Sequence, residues 1–193
     1  MSRVESERQW LVEGPFQWPE RIGGHRGGCT EQRVVIDRYF DTGDRSLSRL
    51  GATLRLRTQE GDLVATLKRP LADDRPGARR RLELETPVDG APAESPPFVA
   101  ARDLVQGQEV VEFGVVRTER LARSYRGGGG PIEAVLDEVV YPDGGREWRV
   151  EAEGAPQDID DFAAALATFV ELTPARRGKV GELRRRLQSE PST

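Results

Sequence analysis

The sequence predicts an α+β fold, in which an antiparallel β-sheet that can close into a barrel is covered by a few helices. Three observations predict it. Charged and apolar residues alternate with a period of two along many segments, as they do in β-strands. Turn residues rich in Gly, Asp and Pro separate these segments. From Asp158 onwards the apolar residues recur every three to four positions, which is typical of helices.

The first half of the chain predicts five strands and one helical turn. Pro15, Pro19 and five glycines predict a loop over Gly14–Glu31, which contains the only histidine, His25, and the only cysteine, Cys29. A short helical turn is expected over Ser46–Gly51, with Gly51 ending it, and a loop over Leu71–Ala78. The strands are expected at Val4–Val12, Arg33–Phe40, Ala52–Gln59, Leu63–Arg69 and Arg79–Pro87.

The second half predicts three further strands and three helices. A glycine run, Gly127–Gly130, is interpreted as a hairpin turn, because no Lys-Ser or Lys-Thr follows it as in a phosphate-binding loop. The strands are expected at Glu109–Arg126, Pro131–Tyr141 and Glu147–Glu153, and the helices at Phe98–Val105, Asp160–Glu171 and Arg176–Leu187. Residues 1–188 are expected to form a single domain, and Ser189–Thr193 a disordered tail.

The composition excludes several classes of function. The chain has 193 residues, with 29 basic and 33 acidic residues and a net charge of −4, so no overall basic field predicts a nucleic-acid partner. One cysteine and one histidine argue against a disulfide, a cysteine zinc site and a Ser-His-Asp triad. No apolar run approaches the roughly 18 residues of a membrane span, and a reduced, cytoplasmic location is expected.

The charged residues of the predicted strands share faces, because alternate residues of a strand point the same way. One interpretation is an open sheet with a wet charged face and a buried apolar face. The other is a barrel with its apolar faces outward under helices and its charged faces inward. The charged faces are Glu5/Glu7, Arg55/Arg57, Lys68, Arg81/Glu83/Glu85, Arg120, Asp137 and Glu151/Glu153.

A charged interior requires pairing or a ligand, because isolated buried charges are costly. Arginine and lysine suit phosphate oxygens, and carboxylates without histidine or cysteine suit Mg²⁺ or Mn²⁺. The two together predict a site for phosphoryl transfer.

These motifs resemble those of the CYTH domains, also called triphosphate tunnel metalloenzymes. The similarity runs in order through nearly the whole chain. The matching segments are Glu5-Ser6-Glu7-Arg8-Gln9 for the Glu-x-Glu-x-Lys signature, Tyr39-Phe40-Asp41-Thr42, Leu54-Arg55-Leu56-Arg57, Thr66-Leu67-Lys68, Arg81-Leu82-Glu83-Leu84-Glu85 for Arg-x-Glu-x-Glu, Thr118-Glu119-Arg120, Leu136-Asp137, Glu151-Ala152-Glu153 and Gly178-Lys179.

The resemblance implies an eight-stranded antiparallel tunnel barrel that acts on triphosphates. By position, it implies that substrate is bound by Arg55, Arg57, Lys68, Arg81, Glu83, Arg120, Lys179 and Arg117 or Arg123. It implies Mg²⁺ or Mn²⁺ ligands at Glu5, Glu7, Glu85, Asp137, Glu151 and Glu153, and catalytic roles for Glu5, Glu7, Gln9 and Lys179. The implied partner is a small triphosphate or polyphosphate, with neither nucleic acid nor membrane, and the protein would be a monomer or a homodimer.

One residue departs from the family pattern. Gln9 stands where the signature has lysine, and it carries no charge. The expected function is metal-dependent hydrolysis of the terminal phosphate of a triphosphate. The alternatives are a triphosphate-, polyphosphate- or nucleotide-binding module that has lost turnover, a class IV adenylate cyclase, or a purely structural role.

Overall fold

One antiparallel sheet of ten strands dominates the structure. This computed structural model describes residues 2–70, 79–127 and 129–189, without the side chains of residues 2–5, 79 and 80. The strands are β1 (Ser2–Val12), β2 (Arg21–Ile22), β3 (His25–Asp41), β4 (Thr53–Gln59), β5 (Asp62–Pro70), β6 (Arg79–Pro87), β7 (Val111–Arg126), β8 (Ile132–Val140), β9 (Arg146–Glu153) and β10 (Thr173–Pro174). The helices are α1 (Ser46–Arg49), α2 (Pro96–Leu104), α3 (Pro156–Leu166) and α4 (Lys179–Ser189), with one 3-10 turn at Pro92–Glu94.

The two ends of the sheet meet on strand β1. Its residues 2–7 pair with β6, and its residues 7–12 pair with β9. Glu7 pairs with both strands, which therefore lie on opposite edges of β1. Between them the order is β6-β5-β4-β3-β7-β8-β9. The predicted tunnel-like barrel is confirmed, but the sheet has ten strands rather than eight, because the two-residue strands β2 and β10 are added to the eight long ones.

The apolar faces of the strands lie outside the barrel, beneath helices. Ile159, Phe162 and Leu166 of α3 belong to one buried cluster with residues of β1, β8 and β9. Phe98 and Ala101 of α2 belong to a second, with residues of β4 and β5. Burying these faces under helices leaves the opposite, charged faces to line the interior.

Helix α4 packs against the inner wall near one end of the barrel. Leu183 belongs to a buried cluster with Tyr39, Val116 and Val139, and a Cβ on Gly114 would lie only 3.0 Å from its Cδ2 atom. The absence of a side chain at position 114 of β7 therefore lets the helix approach closely. This packing brings the start of α4 to the cavity.

The prediction of a loop over Gly14–Glu31 is wrong for its second half. Strand β3 begins at His25, which is buried, and Cys29 lies exposed on the same strand. The strand extends this far because it pairs with β7 up to Arg126. The absence of a side chain at Gly27 leaves room for the side chain of Arg123. Arg123 donates hydrogen bonds of 2.8 Å each to the carbonyl oxygens of Gly28 and Trp18.

The helix bounds also differ from those predicted. Helix α3 was predicted at Asp160–Glu171, but it begins at Pro156, a residue suited to the first turn, and ends at Leu166. Phe169 therefore lies beyond the helix, where it is exposed. Helix α4 begins at Lys179 rather than Arg176. The predicted loop Leu71–Ala78, Gly128 and the tail residues 190–193 lie outside the described residues. None of the described helices is long and apolar enough to cross a membrane.

Candidate functional site

The interior of the barrel holds a cavity of about 540 Å³ whose described lining is rich in charge. Nine of the lining residues are basic and five are acidic, so positive charge is in excess here although the whole chain has a net charge of −4. The basic residues are Arg55, Arg57, Lys68, Arg81, Arg120, Arg176, Arg177, Lys179 and Arg184, and the acidic ones are Glu7, Glu83, Glu85, Glu151 and Glu153.

Strand alternation explains why these side chains converge. Arg55 and Arg57 of β4 line the cavity, while Leu54 and Leu56 between them are buried in the cluster under α2. The same alternation places Arg120 of β7 inside the barrel. The charged faces therefore surround a cavity, and the alternative of an open sheet with a wet charged face does not describe this protein.

Asp137 forms ion pairs with two basic side chains of the cavity lining, Arg120 and Lys179. Its side chain is fully buried, and Arg120 donates to both carboxylate oxygens at 2.8 Å while Lys179 donates to Oδ2 at 2.5 Å. Burial acts to raise the pKa of Asp137, but the charges of Arg120 and Lys179 hold it well below its usual range. Both oxygens are thus engaged by basic groups in this structure, and Asp137 does not line the cavity.

Asp37 forms ion pairs with two further basic side chains of the lining, Arg55 and Arg57. Asp37 was not identified as a site residue from the sequence. Arg57 donates from Nε and Nη2 to its two oxygens at 2.8 and 2.9 Å, and Arg55 lies 4.0 Å away. Burial acts to raise the pKa of Asp37, yet the two arginines hold it well below its usual range. The available signal was an acidic residue on the same strand face as the apolar Val35 and Tyr39, but only the register places it opposite Arg57.

Glu83 and Lys68 belong to a further network of charges on β5 and β6. Lys68 Nζ lies 3.5 Å from Glu83 and 3.9 Å from Glu7, and Arg55 lies 3.9 Å from Glu83. Glu85, one step along the same face, accepts a hydrogen bond of 3.2 Å from Thr66. The basic side chains of this wall therefore also lie near carboxylates.

Glu7, Glu151 and Glu153 form a carboxylate wall on β1 and β9. Glu7 is directly opposite Glu153 and next to Glu151, with which its side chain hydrogen-bonds. Burial acts to raise the pKa of Glu151, but Lys179, Arg120 and this hydrogen bond lower it to about 2. Carboxylates gathered on one wall, without histidine or cysteine beside them, have the donor chemistry that a hard divalent cation prefers.

The donor set thus fits a hard cation in its chemistry. In the part of the chain that the structure describes, however, no three carboxylate, histidine or cysteine side chains are grouped closely enough to hold one as they stand. Glu5, the neighbouring predicted ligand on β1, has its backbone in the strand, but its side chain lies outside the described residues.

Comparison with known proteins now identifies the family. The family model of the CYTH domain matches residues 6–179. The chain belongs to the CYTH family. Comparison with curated proteins gave no match.

Solved structures of CYTH-like proteins share the fold. A candidate adenylate cyclase from Bacillus halodurans is 21% identical with a TM-score of 0.67, over 94% of this chain and 97% of that one. HpAC1 from Hippeastrum, a candidate adenylyl cyclase described as having a dominant triphosphatase activity, is 18% identical with a TM-score of 0.68, over 94% and 95% of the two chains. PH1819 from Pyrococcus horikoshii is 18% identical with a TM-score of 0.56, over 94% and 99%.

Gln9 occupies the position of the lysine in the CYTH signature and lines the cavity. Its amide Nε2 donates to Glu7 at 3.3 Å, and its Oε1 atom is buried without a hydrogen-bond partner among the described residues. The neutral amide therefore borders the carboxylate wall where the family pattern has a cation.

Arg117 and Arg123, which the CYTH resemblance offered as substrate ligands, do not reach the cavity. Arg117 lies three positions from Arg120 and hence on the opposite face of β7, where it is exposed and pairs with Glu119 at 2.8 Å. Arg123 secures the chain around Gly28 through its hydrogen bonds. Strand periodicity alone excludes Arg117 from the face of Arg120.

Three basic lining residues were absent from the sequence prediction: Arg176, Arg177 and Arg184. Arg184 pairs with Asp41 at 2.9 Å and lies over the ring of Phe113, with 4.8 Å from its Cζ atom to the ring centroid. These basic residues come from α4 and the segment before it, and no strand pattern could have placed them in the barrel.

Proposed function

We propose that this CYTH protein hydrolyses the terminal phosphate of inorganic triphosphate or of a small organic triphosphate, with Mg²⁺ or Mn²⁺ bound. The observation that carries the proposal is the cavity, where an excess of basic side chains faces a wall of carboxylates. A linear triphosphate carries several negative charges, and a site with both features can bind its oxygens and the accompanying cation.

In this proposal the basic residues bind and orient the phosphates. Arg55, Arg57 and Arg120 offer forked donors that match two phosphate oxygens, while Lys68 and Lys179 offer point charges. Arg81, on the same face of β6 as Glu83, adds a further guanidinium. Phosphoryl transfer passes through a loose transition state with charge on the leaving group, which these fixed cations stabilise.

In this proposal the carboxylates bind the divalent cation. Glu7, Glu151 and Glu153, with Glu5 beside them, would hold the divalent cation, which supplies electrophilic activation and neutralises phosphate charge. Glu85 and Asp137 remain predicted ligands, although Asp137 is engaged by Arg120 and Lys179.

A second candidate is a binding module without turnover, which the neutral amide of Gln9 favours. A missing cation at a water-excluded site can lower turnover by about 10² to 10³. A third candidate is an adenylate cyclase, the activity by which two of the structural neighbours are described. However, Tyr39 is the one aromatic residue in the described lining, and it is 4% exposed, so these residues offer no face on which adenine can stack.

The test is phosphate release from inorganic triphosphate, ATP and thiamine triphosphate, with Mg²⁺ and with Mn²⁺. We expect metal-dependent release by the natural protein and faster release by Gln9→Lys. Release by Gln9→Lys alone would mean that the natural protein binds triphosphate without turning it over. No release by either, with cyclic AMP formed from ATP, would replace the proposal by a cyclase.

A further inference from the structure

Asp37 is a buried carboxylate to which the proposed reaction assigns no step. It lies on the inner side of β3, opposite Arg57 of β4, and its side chain is fully buried. It is absent from the cavity lining, so it does not touch a ligand there. Its contacts are with two residues that do line the cavity, Arg55 and Arg57.

The contact with Arg57 fixes the orientation of one guanidinium. The two hydrogen bonds use the Nε and Nη2 atoms, at 2.8 and 2.9 Å, so one edge of the planar group is held by the carboxylate. A guanidinium has five N–H donors, and three remain on the other side of the group. Because Arg57 itself lines the cavity, we expect those donors to be available to a ligand.

The contact with Arg55 acts through charge. Arg55 lies 4.0 Å from Asp37 and 3.9 Å from Glu83, and its Nε atom is buried without a hydrogen-bond partner among the described residues. Arg55 and Arg57 are two residues apart on one face, so their charges repel each other. The carboxylate of Asp37 lies beside both of them, offsets this repulsion and keeps both guanidinium groups in the cavity wall.

Asp37 stays ionised through the neutral range, which this role requires. Burial disfavours its charged form, but the charges of Arg57 and Arg55 outweigh burial and lower its pKa. Asp137 shows the same arrangement beneath Arg120 and Lys179, on the far side of β7. Two buried carboxylates thus each pair with two basic side chains of the cavity lining.

We propose that Asp37 is a positioning residue, which holds the guanidinium of Arg57, and through its charge that of Arg55, in the orientation in which they meet phosphate. The inference rests on the proposed function, because it assumes that these two arginines bind the substrate's phosphates. Asp37 acts through them and not on the substrate.

Asp37→Asn tests this, since it removes the charge with almost no change of shape. We expect kcat for inorganic triphosphate to fall by about a hundredfold, the order of loss that misplaced binding groups cause. KM should change much less, because losing an anion strengthens the attraction for phosphate while poorer positioning weakens it. Glu119→Gln is the matched control, because Glu119 pairs with exposed Arg117 outside the barrel. Equal kcat in the two variants would overturn the proposal.

A double-mutant cycle separates positioning from an independent effect. If Asp37 acts through Arg57, adding Asp37→Asn to Arg57→Ala should lower kcat by much less than Asp37→Asn does alone. Effects that multiply in the double variant would overturn the proposal. Circular dichroism and thermal melting of each variant show whether it is folded. Of the three variants, we expect the double variant to be the most stable, because each single substitution leaves one partner of the Asp37–Arg57 pair without the other.

An NMR readout keeps this test separate from the proposed function. The side-chain Nε–H signal of Arg57, assigned by its loss in Arg57→Ala, should exchange slowly in the natural protein and in Glu119→Gln, and rapidly in Asp37→Asn. Slow exchange in Asp37→Asn would overturn the positioning role. If instead the natural protein releases no phosphate but its Arg57 signal behaves as expected, the proposed hydrolysis fails while the geometry assigned to Asp37 stands.

Discussion

Lys179, the first residue of α4, donates a hydrogen bond of 2.5 Å to the carboxylate of Asp137 in β8. Arg120 of β7 donates two more bonds to the same carboxylate. All three side chains are largely or fully buried, so the contact is shielded from water. It ties the last helix to the inner wall of the barrel at the cavity.

Lys179→Met should therefore destabilise the fold. It removes the hydrogen bond from Lys179 to Asp137 while those from Arg120 remain, and a hydrogen bond to a charged group contributes about 1.5 to 3 kcal/mol. Urea denaturation measures the change in the free energy of unfolding. Arg185→Met is the control on the same helix, since Arg185 is exposed and pairs with Glu182, and it should cost at most about 0.5 kcal/mol. Equal losses of unfolding free energy in the two variants would show that the buried contact stabilises the fold no more than the exposed one does.

Stability should fall in acid but not near neutrality. The pKa values of Asp37, Asp137 and Glu151 are lowered in the folded protein, the last to about 2. A carboxylate with a lowered folded pKa stabilises the fold above its unfolded pKa, about 4, and this stability is lost as pH falls towards the folded value. Urea midpoints between pH 7 and pH 2.5 should be flat down to about pH 4.5 and then decrease. A decrease that is complete by pH 5 would contradict this assignment.

Two arginines of β7 should differ in their effect on catalysis. Arg120 lines the cavity, whereas Arg117 is exposed on the outer face. Because hydrogen bonds to charged groups contribute about 1.5 to 3 kcal/mol, Arg120→Ala should lower kcat/KM for triphosphate by at least about tenfold. Arg117→Ala should leave it within about twofold. A comparable loss in both variants would mean that the substrate does not lie in the barrel.

Divalent cations should raise the thermal midpoint of the natural protein without any substrate. A ligand at 100 times its Kd stabilises the folded state by about 2.7 kcal/mol. Glu151→Gln should abolish most of the shift with Mg²⁺ or Mn²⁺, because it removes a charge from the carboxylate wall. Glu119→Gln, outside the barrel, should retain the shift. The absence of a shift in the natural protein would argue against a cation on this wall.

Neighbouring glycines of β3 should respond differently to substitution. A Cβ on Gly27 would collide with the guanidinium of Arg123, whereas one on Gly28 would meet its nearest atom at an ordinary 3.6 Å. Gly27→Ala displaces Arg123 from its hydrogen bonds to backbone carbonyls and should cost about 1 to 3 kcal/mol in unfolding free energy. Gly28→Ala should cost less than about 0.5 kcal/mol. The comparison by chemical denaturation tests whether Arg123 is a structural residue.

Much of the fold was predictable because strand alternation is a local property of the chain. The alternation of Arg55 and Arg57 with Leu54 and Leu56 correctly predicted which face is buried under a helix. The extension of β3 back to His25 was not predictable, since its glycines resemble a loop. It forms because β7 supplies a long pairing partner and the side chain of Arg123 covers Gly27.

The candidate site was predictable only in part, for a related reason. Motif order named most of the charged lining residues, and all of these except Lys179 belong to strands with their own periodicity. It also included Arg117, because the family's motif lies nearby, although periodicity places that residue outside. Arg176, Arg177 and Arg184 were missed because a helix and the segment before it bring them to the barrel.

The sequence by itself determined the type of fold, the alternation that separates charged from apolar faces, and the family to which the chain belongs. These depend on local periodicity and on the order of short motifs along the chain. Only the tertiary structure decided which charges meet. Asp37 faces Arg57, and Asp137 binds both Arg120 and Lys179, because strand register and helix docking join residues that lie far apart in the chain. Charge pairing in a barrel interior depends on distances of a few ångströms between side chains, and no local pattern encodes those distances.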